Sequence, residues 1–233
     1  MFPIAPFLNA GLRAAAMSGR SDGDCVLGRS SEAARRAFLA AQGLDPDRLV
    51  CPKQVHGVEV AIARKEDAGK GAFGPENALA LADAVITNVP GLPIGITVAD
   101  CVPVALYDPV RKAIGLAHAG REGTVQHIAA ATVRAMTSAH GCDPAELLAY
   151  IGPSAGPCCY EVSEALAAAF TASGGPTQGR HLDLWQANRH QLRAAGLSDT
   201  NITVAGTCTI CTDRFFSYRR ENTPARNLMV LCL

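Results

Sequence analysis

The stretch ITVADCVPVALYDPVRKAIGLAHAGREGT, residues 96–124, decides the fold of this chain. Two apolar segments flank DPVRK (108–112), and Asp and Pro are typical turn residues, so we predict a β-hairpin. Cys101 stands just before the first strand, and His118 stands near the end of the second. The predicted hairpin therefore carries a thiol and an imidazole at the same end.

The length of the turn determines whether these two side chains meet. With a four-residue loop at 108–111, Tyr107 faces Lys112. In that register Cys101 lies directly opposite His118, with Cβ atoms about 5 Å apart. A five-residue loop would put the two on opposite faces, because a slip of one residue reverses the face. A shared site therefore requires an even loop, or Cys101 just outside the regular strand.

A second histidine is a candidate for the same site. His56 lies beside a glycine in KQVHG (53–57), at a strand end or bulge, where side chains are often directed towards a site. Together with Cys101 and His118 it makes a set of two nitrogens and one sulfur, which zinc accepts with one tetrahedral position left open. Asp100 either orients a ligand or caps the turn, and we favour the cap.

Composition places the chain among cytoplasmic globular proteins. It has 233 residues, of which 48% are hydrophobic, enough to bury a substantial core. Lys plus Arg and Asp plus Glu both number 21, which argues against a general attraction to nucleic acid or anionic membranes. The nine cysteines form no repeating framework, and no apolar run approaches the roughly 20 residues of a membrane span. We also find no signal-peptide pattern at the N-terminus.

The order of predicted elements gives the fold class. Apolar runs between turn residues predict strands within 49–63, 82–90, 92–100, 201–206 and 226–233. Caps and glycines bound predicted helices within 30–46, 121–141, 161–175 and 183–197. Because strands and helices do not alternate regularly, we predict an α+β fold, with residues 1–233 as a single domain whose mixed β-sheet core is flanked by helices.

Two of the predicted helix starts carry specific signals. Ser30 or Ser31 can cap the first helix, and Gly43 can close it. DPAE (143–146) combines an N-cap, a proline in the first position and the glutamate of a capping box. We therefore predict that a helix also begins at this segment. The N-terminal segment gives no clear pattern beyond strand and loop.

Four further cysteines stand in two short motifs. CTIC (208–211) is a C-x-x-C sequence, and Cys158 and Cys159 are adjacent to each other. The C-x-x-C could be redox-active, or it could form half of a zinc site with the adjacent pair. Neither alternative has a second supporting signal in the sequence, so we expect reduced structural thiols.

Several motifs occur in the order found in the laccase-domain, or polyphenol oxidase, family. They are KQVHG, TVADCVPVAL, LAHAGREGT, IGPSAGPCCYEV, LDLWQANRHQL and CTICTDRFFSYRRE. The chain resembles this family from about residue 49 to its C-terminus. The resemblance implies a zinc-dependent purine nucleoside phosphorylase, which converts adenosine or inosine and phosphate to the free base and ribose 1-phosphate. It leaves room for adenosine deaminase and methylthioadenosine phosphorylase activity.

The resemblance also implies roles for individual residues. It gives the catalytic zinc three ligands, which are the same residues that the hairpin and the KQVHG motif suggested: His56, Cys101 and His118. The last two of these are also catalytic, together with Arg220. Arg219, Arg220 and Gln54 are the implied substrate- or phosphate-binding residues, and the planar fork of arginine suits phosphate.

The sequence departs from the family at two places. The family has H-A-G-W-R-G where this chain has HAGREG, so Arg121 replaces a tryptophan and Glu122 replaces an arginine. A Gly-Gly-Val-Ser turn is replaced by AAAMSGRSDGD (14–24). If the lost side chains touch phosphate or purine in relatives, substrate choice or activity changes here. Arg121 can compensate in part for the shifted charge.

Three other functions compete with the phosphorylase. The first is a metal-free cysteine hydrolase with Cys101 as the nucleophile and His118 as its base. The second is a copper-dependent polyphenol oxidase, although six histidines are few for multicopper chemistry. The third is a module that binds purines or peptidoglycan precursors without catalysis. Zinc, a purine nucleoside and phosphate are the partners of the favoured function.

Overall fold

The computed structural model describes residues 1–28 and 31–233, and these residues form twelve strands and seven α-helices. The strands are β1 (Phe2–Pro3), β2 (Ala14–Met17), β3 (Val60–Ile62), β4 (Ala84–Thr87), β5 (Ile94–Val98), β6 (Val102–Asp108), β7 (Ala113–Ala119), β8 (Leu148–Ile151), β9 (Thr177–Gln178), β10 (His181–Leu182), β11 (Ile202–Val204) and β12 (Asn227–Cys232). The helices are α1 (Ala5–Asn9), α2 (Glu32–Ala40), α3 (Arg121–Val125), α4 (Ile128–His140), α5 (Glu164–Ala172), α6 (Leu184–Ala194) and α7 (Tyr218–Glu221). Within the described residues, every helix is too short or too polar to cross a bilayer.

The strands form two main sheets. An antiparallel sheet has the order β1-β2-β12-β5, and a six-stranded mixed sheet has the order β11-β8-β6-β7-β4-β3. The two outer pairs of the mixed sheet, β11–β8 and β3–β4, are parallel, whereas its inner pairs are antiparallel. This architecture, with a mixed sheet and flanking helices, confirms the predicted α+β class.

The β6–β7 hairpin lies at the centre of the mixed sheet and is buried on both faces. Ile114 and Leu116 of β7 belong to the core between the two sheets. Ala113 and Ala117, on the opposite face, belong to the core that includes residues of α4 and α6. Because successive side chains of a strand alternate between faces, a strand covered on both sides reads as a continuous apolar run. That burial explains the composition of the hairpin.

The hairpin has an even loop, but its register differs from the predicted one. The loop spans 109–112, so the predicted loop at 108–111 is wrong by one residue. His118 pairs with Pro103, and Cys101 lies just before β6 instead of opposite the histidine. Since the loop still has an even number of residues, the cysteine stays on the face of the hairpin that carries the histidine.

The carboxylate of Asp108 explains the shifted loop. Its Oδ1 accepts the backbone N–H groups of Val110 at 2.9 Å and Arg111 at 2.8 Å. These bonds make Asp108 the last residue of β6, where it pairs with Ala113. Lys112 then closes the loop with a left-handed backbone (φ 51°). A turn of this kind depends on side-chain bonds to the backbone, which the apolar pattern of the strands does not show.

The predicted helix within 121–141 is two helices. α3 ends at Val125 and α4 begins at Ile128. Between them His127 has a left-handed backbone (φ 64°), which interrupts the helical hydrogen bonds. Gly141, with φ 67°, ends α4 at the predicted position.

The predicted helix start at 143–146 is a single 3-10 turn, Pro144–Glu146. Asp143 caps it as predicted, since its side chain accepts the N–H of Ala145 at 3.0 Å. The chain then continues as β8, which pairs with both β6 and β11. Pairing in the middle of the sheet therefore prevails over the local helix signal.

The first helix begins without the predicted hydroxyl cap. Ser30 lies outside the described residues. Ser31 precedes α2, but its hydroxyl donates to the carbonyl of Gly28 at 2.9 Å and accepts no N–H from the helix. Gly43 closes the end of α2 with a left-handed backbone (φ 68°), as predicted.

Two segments towards the N-terminus also differ from the prediction. Residues 49–56 form isolated bridges at Val50 and Lys53 instead of a strand, and only β3 remains of the predicted pair. The first 17 residues contain the helix α1 between β1 and β2. Pro6 in the first turn of α1 is compatible with a helix start, but five residues are too few to give an apolar period.

Candidate metal and substrate site

Three predicted ligands converge where β6 begins and β7 ends. One ligand atom from each of His56, Cys101 and His118 lies within 4.8 Å of the others. The two imidazole rings are edge to face, with centroids 4.8 Å apart and an interplanar angle of 78°. The structure therefore brings together the three side chains that the sequence singled out.

Cys101 owes its place to the connection between the two sheets. β5 belongs to the antiparallel sheet and β6 to the mixed sheet, and only three residues separate them. Asp100, in this connection, has a left-handed backbone (φ 82°). Its carboxylate accepts the Thr209 hydroxyl at 2.6 Å and the Arg219 backbone N–H at 2.7 Å. Asp100 therefore ties the connection to distant loops, instead of capping its own turn as predicted.

His56 is held in a sparsely populated backbone conformation. Its φ is 62°, a region that costs a residue other than glycine about 1–3 kcal/mol. The carboxylate of Asp83 accepts three consecutive backbone N–H groups here, from Val55 at 3.1 Å, His56 at 2.9 Å and Gly57 at 2.7 Å. One buried carboxylate therefore fixes the loop that presents the His56 ring.

The same carboxylate orients His118. Asp83 Oδ1 lies 2.8 Å from His118 Nδ1, and the His118 backbone N–H donates to the Asp83 carbonyl at 2.7 Å. This bond leaves Nε2 of the ring available to a metal, as in carboxylate–histidine–metal arrangements. Asp83 was not among the predicted site residues. Its signal was an acidic residue alone in the apolar run LALADAVIT (79–87), directly before a buried strand.

Electrostatics favour a thiolate at the centre of the site. Burial alone would raise the pKa of Cys101, but the charges and hydrogen bonds of His118 and His56 lower it to about 6. Burial would lower the pKa of His118, but the thiolate and Asp83 raise it to about 9. Burial would raise the pKa of Asp83, but hydrogen bonds from His118 and from nearby backbone N–H groups lower it. Metals bind the thiolate form of cysteine and the neutral form of histidine, so the lowered pKa of Cys101 suits a ligand, and a bound metal would displace the proton from Nε2 of His118.

The donors fit a borderline metal ion. Two imidazoles and one thiolate are ligands that both zinc and copper accept, and three protein ligands leave a position for substrate. Thus, His56, Cys101 and His118 could hold a metal, with Asp83 behind one of the imidazoles.

A cavity of about 510 Å³ opens onto these three side chains. This size is typical of small-molecule sites. Its lining includes four basic side chains and two tyrosines: Lys53, Arg121, Arg219, Arg226, Tyr160 and Tyr218. The cavity therefore combines a candidate metal centre with positive charge and aromatic surface.

The two neighbouring arginines near the C-terminus have different environments. Arg219 lines the cavity, its guanidinium lies 5.3 Å from the centre of the Tyr160 ring, and it donates to the Glu161 carbonyl at 3.1 Å. Arg220 does not line the cavity. Its guanidinium donates to backbone carbonyls of the loop at 209–215, including that of Phe215 at 2.7 Å.

Two other cavity residues bear on the sequence predictions. Gln54 uses its carboxamide to pair with the backbone of Thr97, donating to the carbonyl at 2.8 Å and accepting the N–H at 2.9 Å. It therefore anchors the loop of His56. Arg121, at the position where the family resemblance leads us to expect a tryptophan, lines the cavity and forms an ion pair with the half-exposed Glu122.

Comparison with known proteins gives the family of this chain. The family described as "Multi-copper polyphenol oxidoreductase laccase" matches residues 28–233. The chain belongs to this family. It is 36% identical over 186 residues to "Purine nucleoside phosphorylase YlmD" of Geobacillus stearothermophilus, covering 75% of this chain and 68% of the relative. It is also 36% identical over 197 residues to "Adenosine deaminase RL5" of an unknown prokaryotic organism, covering 79% of this chain and 75% of the relative.

A solved structure of a relative has a similar fold. The crystal structure of YlmD from Geobacillus stearothermophilus superposes with a TM-score of 0.86 at 30% sequence identity, covering 94% of this chain and 91% of that chain. The family and the names of its members support an enzyme that processes purine nucleosides.

Proposed function

We propose that residues 1–233 form a single catalytic domain with zinc-dependent purine nucleoside phosphorylase activity. The observation that carries the proposal is the cavity, in which three candidate metal ligands lie beside the guanidinium groups of Arg121 and Arg219. A phosphorolytic enzyme must bind an anion next to the reacting sugar, and this cavity supplies the charge for it. The names of the relatives support the same substrate class.

Phosphate recognition falls to the arginines that face the cavity. Arg219 is held by its backbone bond to Asp100 and by its bond to Glu161, and it still lines the cavity. Arg121, at the start of α3, lines the same cavity. Two guanidinium forks can give bidentate bonds to phosphate oxygens. The Arg220 guanidinium donates to carbonyls of the 209–215 loop, and we do not assign it a direct contact with phosphate.

The nucleoside would occupy the aromatic part of the cavity. Tyr218 lines the cavity and exposes about half of its surface, so its ring offers a face for a purine. Leu184, at the start of α6, adds apolar lining. Tyr160 is covered by the Arg219 guanidinium, so it supports the arginine instead of the base.

The side chains around the metal would hold it and orient its ligands. A bound zinc ion would act as a Lewis acid towards a substrate oxygen or nitrogen and would lower the pKa of water. Asp83 keeps His118 in the tautomer with Nε2 free, and Cys101 contributes a thiolate. Of the histidines among the described residues, only His56 and His118 line the cavity. Two histidines favour a single zinc over a multicopper centre.

One experiment tests this proposal. The purified protein is incubated with adenosine, inosine and methylthioadenosine, with and without phosphate, and the products are separated. Phosphate-dependent release of free base and pentose 1-phosphate would support the phosphorylase. Inosine formed from adenosine without phosphate would assign deaminase activity instead. Nucleoside binding without any product would favour a binding module.

Metal removal separates zinc chemistry from the cysteine hydrolase. Activity should disappear after exhaustive chelation and return with zinc, and it should be absent from a Cys101→Ser variant that has lost its metal. Full activity in chelated protein would refute a role for the metal. Restoration by copper but not by zinc would assign the other metal.

A further inference from the structure

Four cysteines outside the cavity form a second cluster of thiols. Cys158 and Cys159 lie in the loop after β8, and Cys208 and Cys211 lie in the loop between β11 and α7. One sulfur atom from each lies within 4.8 Å of all the others. The separation is 3.4 Å between the sulfurs of Cys158 and Cys211, and 3.2 Å between those of Cys159 and Cys211. The fold therefore joins two motifs that are about 50 residues apart.

The spacing of the sulfurs suits a tetrahedral metal better than a disulfide. A zinc–sulfur bond of about 2.3 Å places the sulfurs of a tetrathiolate about 3.8 Å apart. The shortest observed separation is 3.2 Å and none exceeds 4.8 Å, a range that includes that value. A disulfide needs about 2.05 Å, and all four cysteines are free.

The backbone holds the two loops together before any ion binds. Ser154 and Cys208 form a parallel bridge, in which the Ser154 N–H donates to the Thr207 carbonyl at 3.2 Å. The Gly156 N–H donates to the Cys208 sulfur at 3.2 Å. A Cβ atom at Gly156 would lie 2.6 Å from the Trp185 ring, so a glycine is needed for this approach. Such N–H···S bonds are typical second contacts of a thiolate ligand.

Negative charge would accumulate in the cluster if its thiols ionised together. Burial would raise the pKa of Cys208, but backbone N–H groups lower it. Burial and the neighbouring cysteines raise the pKa of Cys158, and hydrogen bonding to Cys211 raises that of Cys159 to about 11. Further thiolates would therefore repel one another unless a divalent cation lay between them.

We propose that Cys158, Cys159, Cys208 and Cys211 bind a second metal ion, a zinc-class cation in a closed tetrathiolate site. The four protein ligands would leave no position for substrate, which is the arrangement of structural rather than catalytic zinc. None of the four cysteines lines the cavity of the first site. The proposal does not depend on the proposed phosphorylase activity.

The position of the cluster gives this ion a structural role beside the cavity. Tyr160 follows the Cys158–Cys159 pair directly, and its ring lies under the Arg219 guanidinium. Thr209, between the other two cysteines, donates to the carboxylate of Asp100, next to Cys101. An ion that joins the two loops would therefore fix the wall that presents Arg219.

Metal analysis tests this proposal directly. The protein is purified without chelators, and zinc per chain is measured by mass spectrometry. We expect two zinc ions in the wild type, one in a Cys158→Ala/Cys211→Ala variant and one in Cys101→Ala. The matched control is Cys142→Ala, a buried thiol outside both clusters, which should keep two. If the first site binds no metal, the wild type should hold one ion, and only the double variant should lose it.

Spectroscopy on chains with intact cysteine loops covers the case in which the double variant does not fold. In the Cys101→Ala protein, X-ray absorption at the zinc edge should show sulfur alone at about 2.3 Å, without nitrogen near 2.0 Å. Zinc in the Cys101→Ala protein should also be released by an organomercurial that blocks thiols, because the only thiol ligands left are those of the cluster. A wild-type mass lowered by one disulfide, or free thiols with no bound zinc in zinc-supplemented medium, would refute the site.

Discussion

Asp83 contacts both histidines of the candidate metal site. Its Oδ1 lies 2.8 Å from Nδ1 of His118 and 2.9 Å from the backbone nitrogen of His56. The first contact arises because Asp83 and His118 are neighbours across the β4–β7 pair, and the second because the His56 loop folds over the end of β4. One carboxylate thus positions two ligands that are 62 residues apart in the sequence.

Asp83→Asn should weaken metal binding, although asparagine has nearly the same shape as aspartate. The amide replaces one acceptor oxygen with a donor, which would face either His118 or the N–H groups of Val55 and Gly57. We expect metal affinity to fall by about 10–100-fold. The free energy of unfolding should fall by about 2–4 kcal/mol, because buried polar groups lose their partners. Competition with a chromophoric chelator measures the first, and urea unfolding measures the second. Unchanged metal affinity would contradict the positioning role.

The two neighbouring arginines should separate substrate binding from stability. Arg219→Ala should raise KM for phosphate by about 10–100-fold, the value of one or two charge-assisted hydrogen bonds, with little change in Tm. Arg220→Ala should lower Tm by about 5 °C, because its guanidinium holds several carbonyls of the 209–215 loop. Arg193→Ala, on an exposed helix face, is the control. If instead Arg220→Ala raised KM for phosphate and Arg219→Ala lowered Tm, Arg220 would be the phosphate-binding residue.

Arg121 should bind phosphate, in place of the arginine that the family resemblance leads us to expect at position 122. Arg121→Gln should raise KM for phosphate by about tenfold or more, with a smaller effect on KM for the nucleoside. Glu122→Gln is the matched control, since it removes only the ion-pair partner of Arg121. It should leave KM for phosphate unchanged or lower it. If Arg121→Gln changes neither constant, Arg121 does not contact phosphate.

Asp67, which does not line the cavity, should give a pH-dependent contribution to stability. Burial alone would raise its pKa, but the bonds from Lys70 at 2.7 Å and from the Arg64 N–H at 2.8 Å lower it. A lowered pKa stabilises the fold above the unfolded-state value of about 3.9, and this contribution disappears as pH falls through the folded-state value.

Unfolding of an Asp67→Asn variant measures this contribution. The variant should be less stable than the wild type by about 1 kcal/mol at pH 7. The difference should shrink below about pH 4. Glu66→Gln, at the exposed neighbouring position, should show no comparable difference. A constant difference across pH would assign the effect of Asp67 to packing instead of charge.

The sequence predicted local structure best where local signals were sufficient. The hairpin at 96–124 and the ends of α2 and α4 at Gly43 and Gly141 depend on apolar runs and on glycines with left-handed backbones, which are visible within a few residues. The helix start at 143–146 failed because pairing with two distant strands decided the conformation of that segment. A single left-handed residue, His127, was equally invisible in the apolar pattern.

The sequence by itself determined the chemistry of this protein: its apolar hairpin, the thiol and two imidazoles, and the family motifs that contain them. The tertiary structure decided the partners of these groups. It placed Asp83 against His118, directed Arg219 to the cavity and Arg220 to backbone carbonyls, and brought four cysteines into one cluster. The reason is physical, because side-chain identity is local, whereas these contacts depend on strand register and on loops that meet only after the sheets have packed.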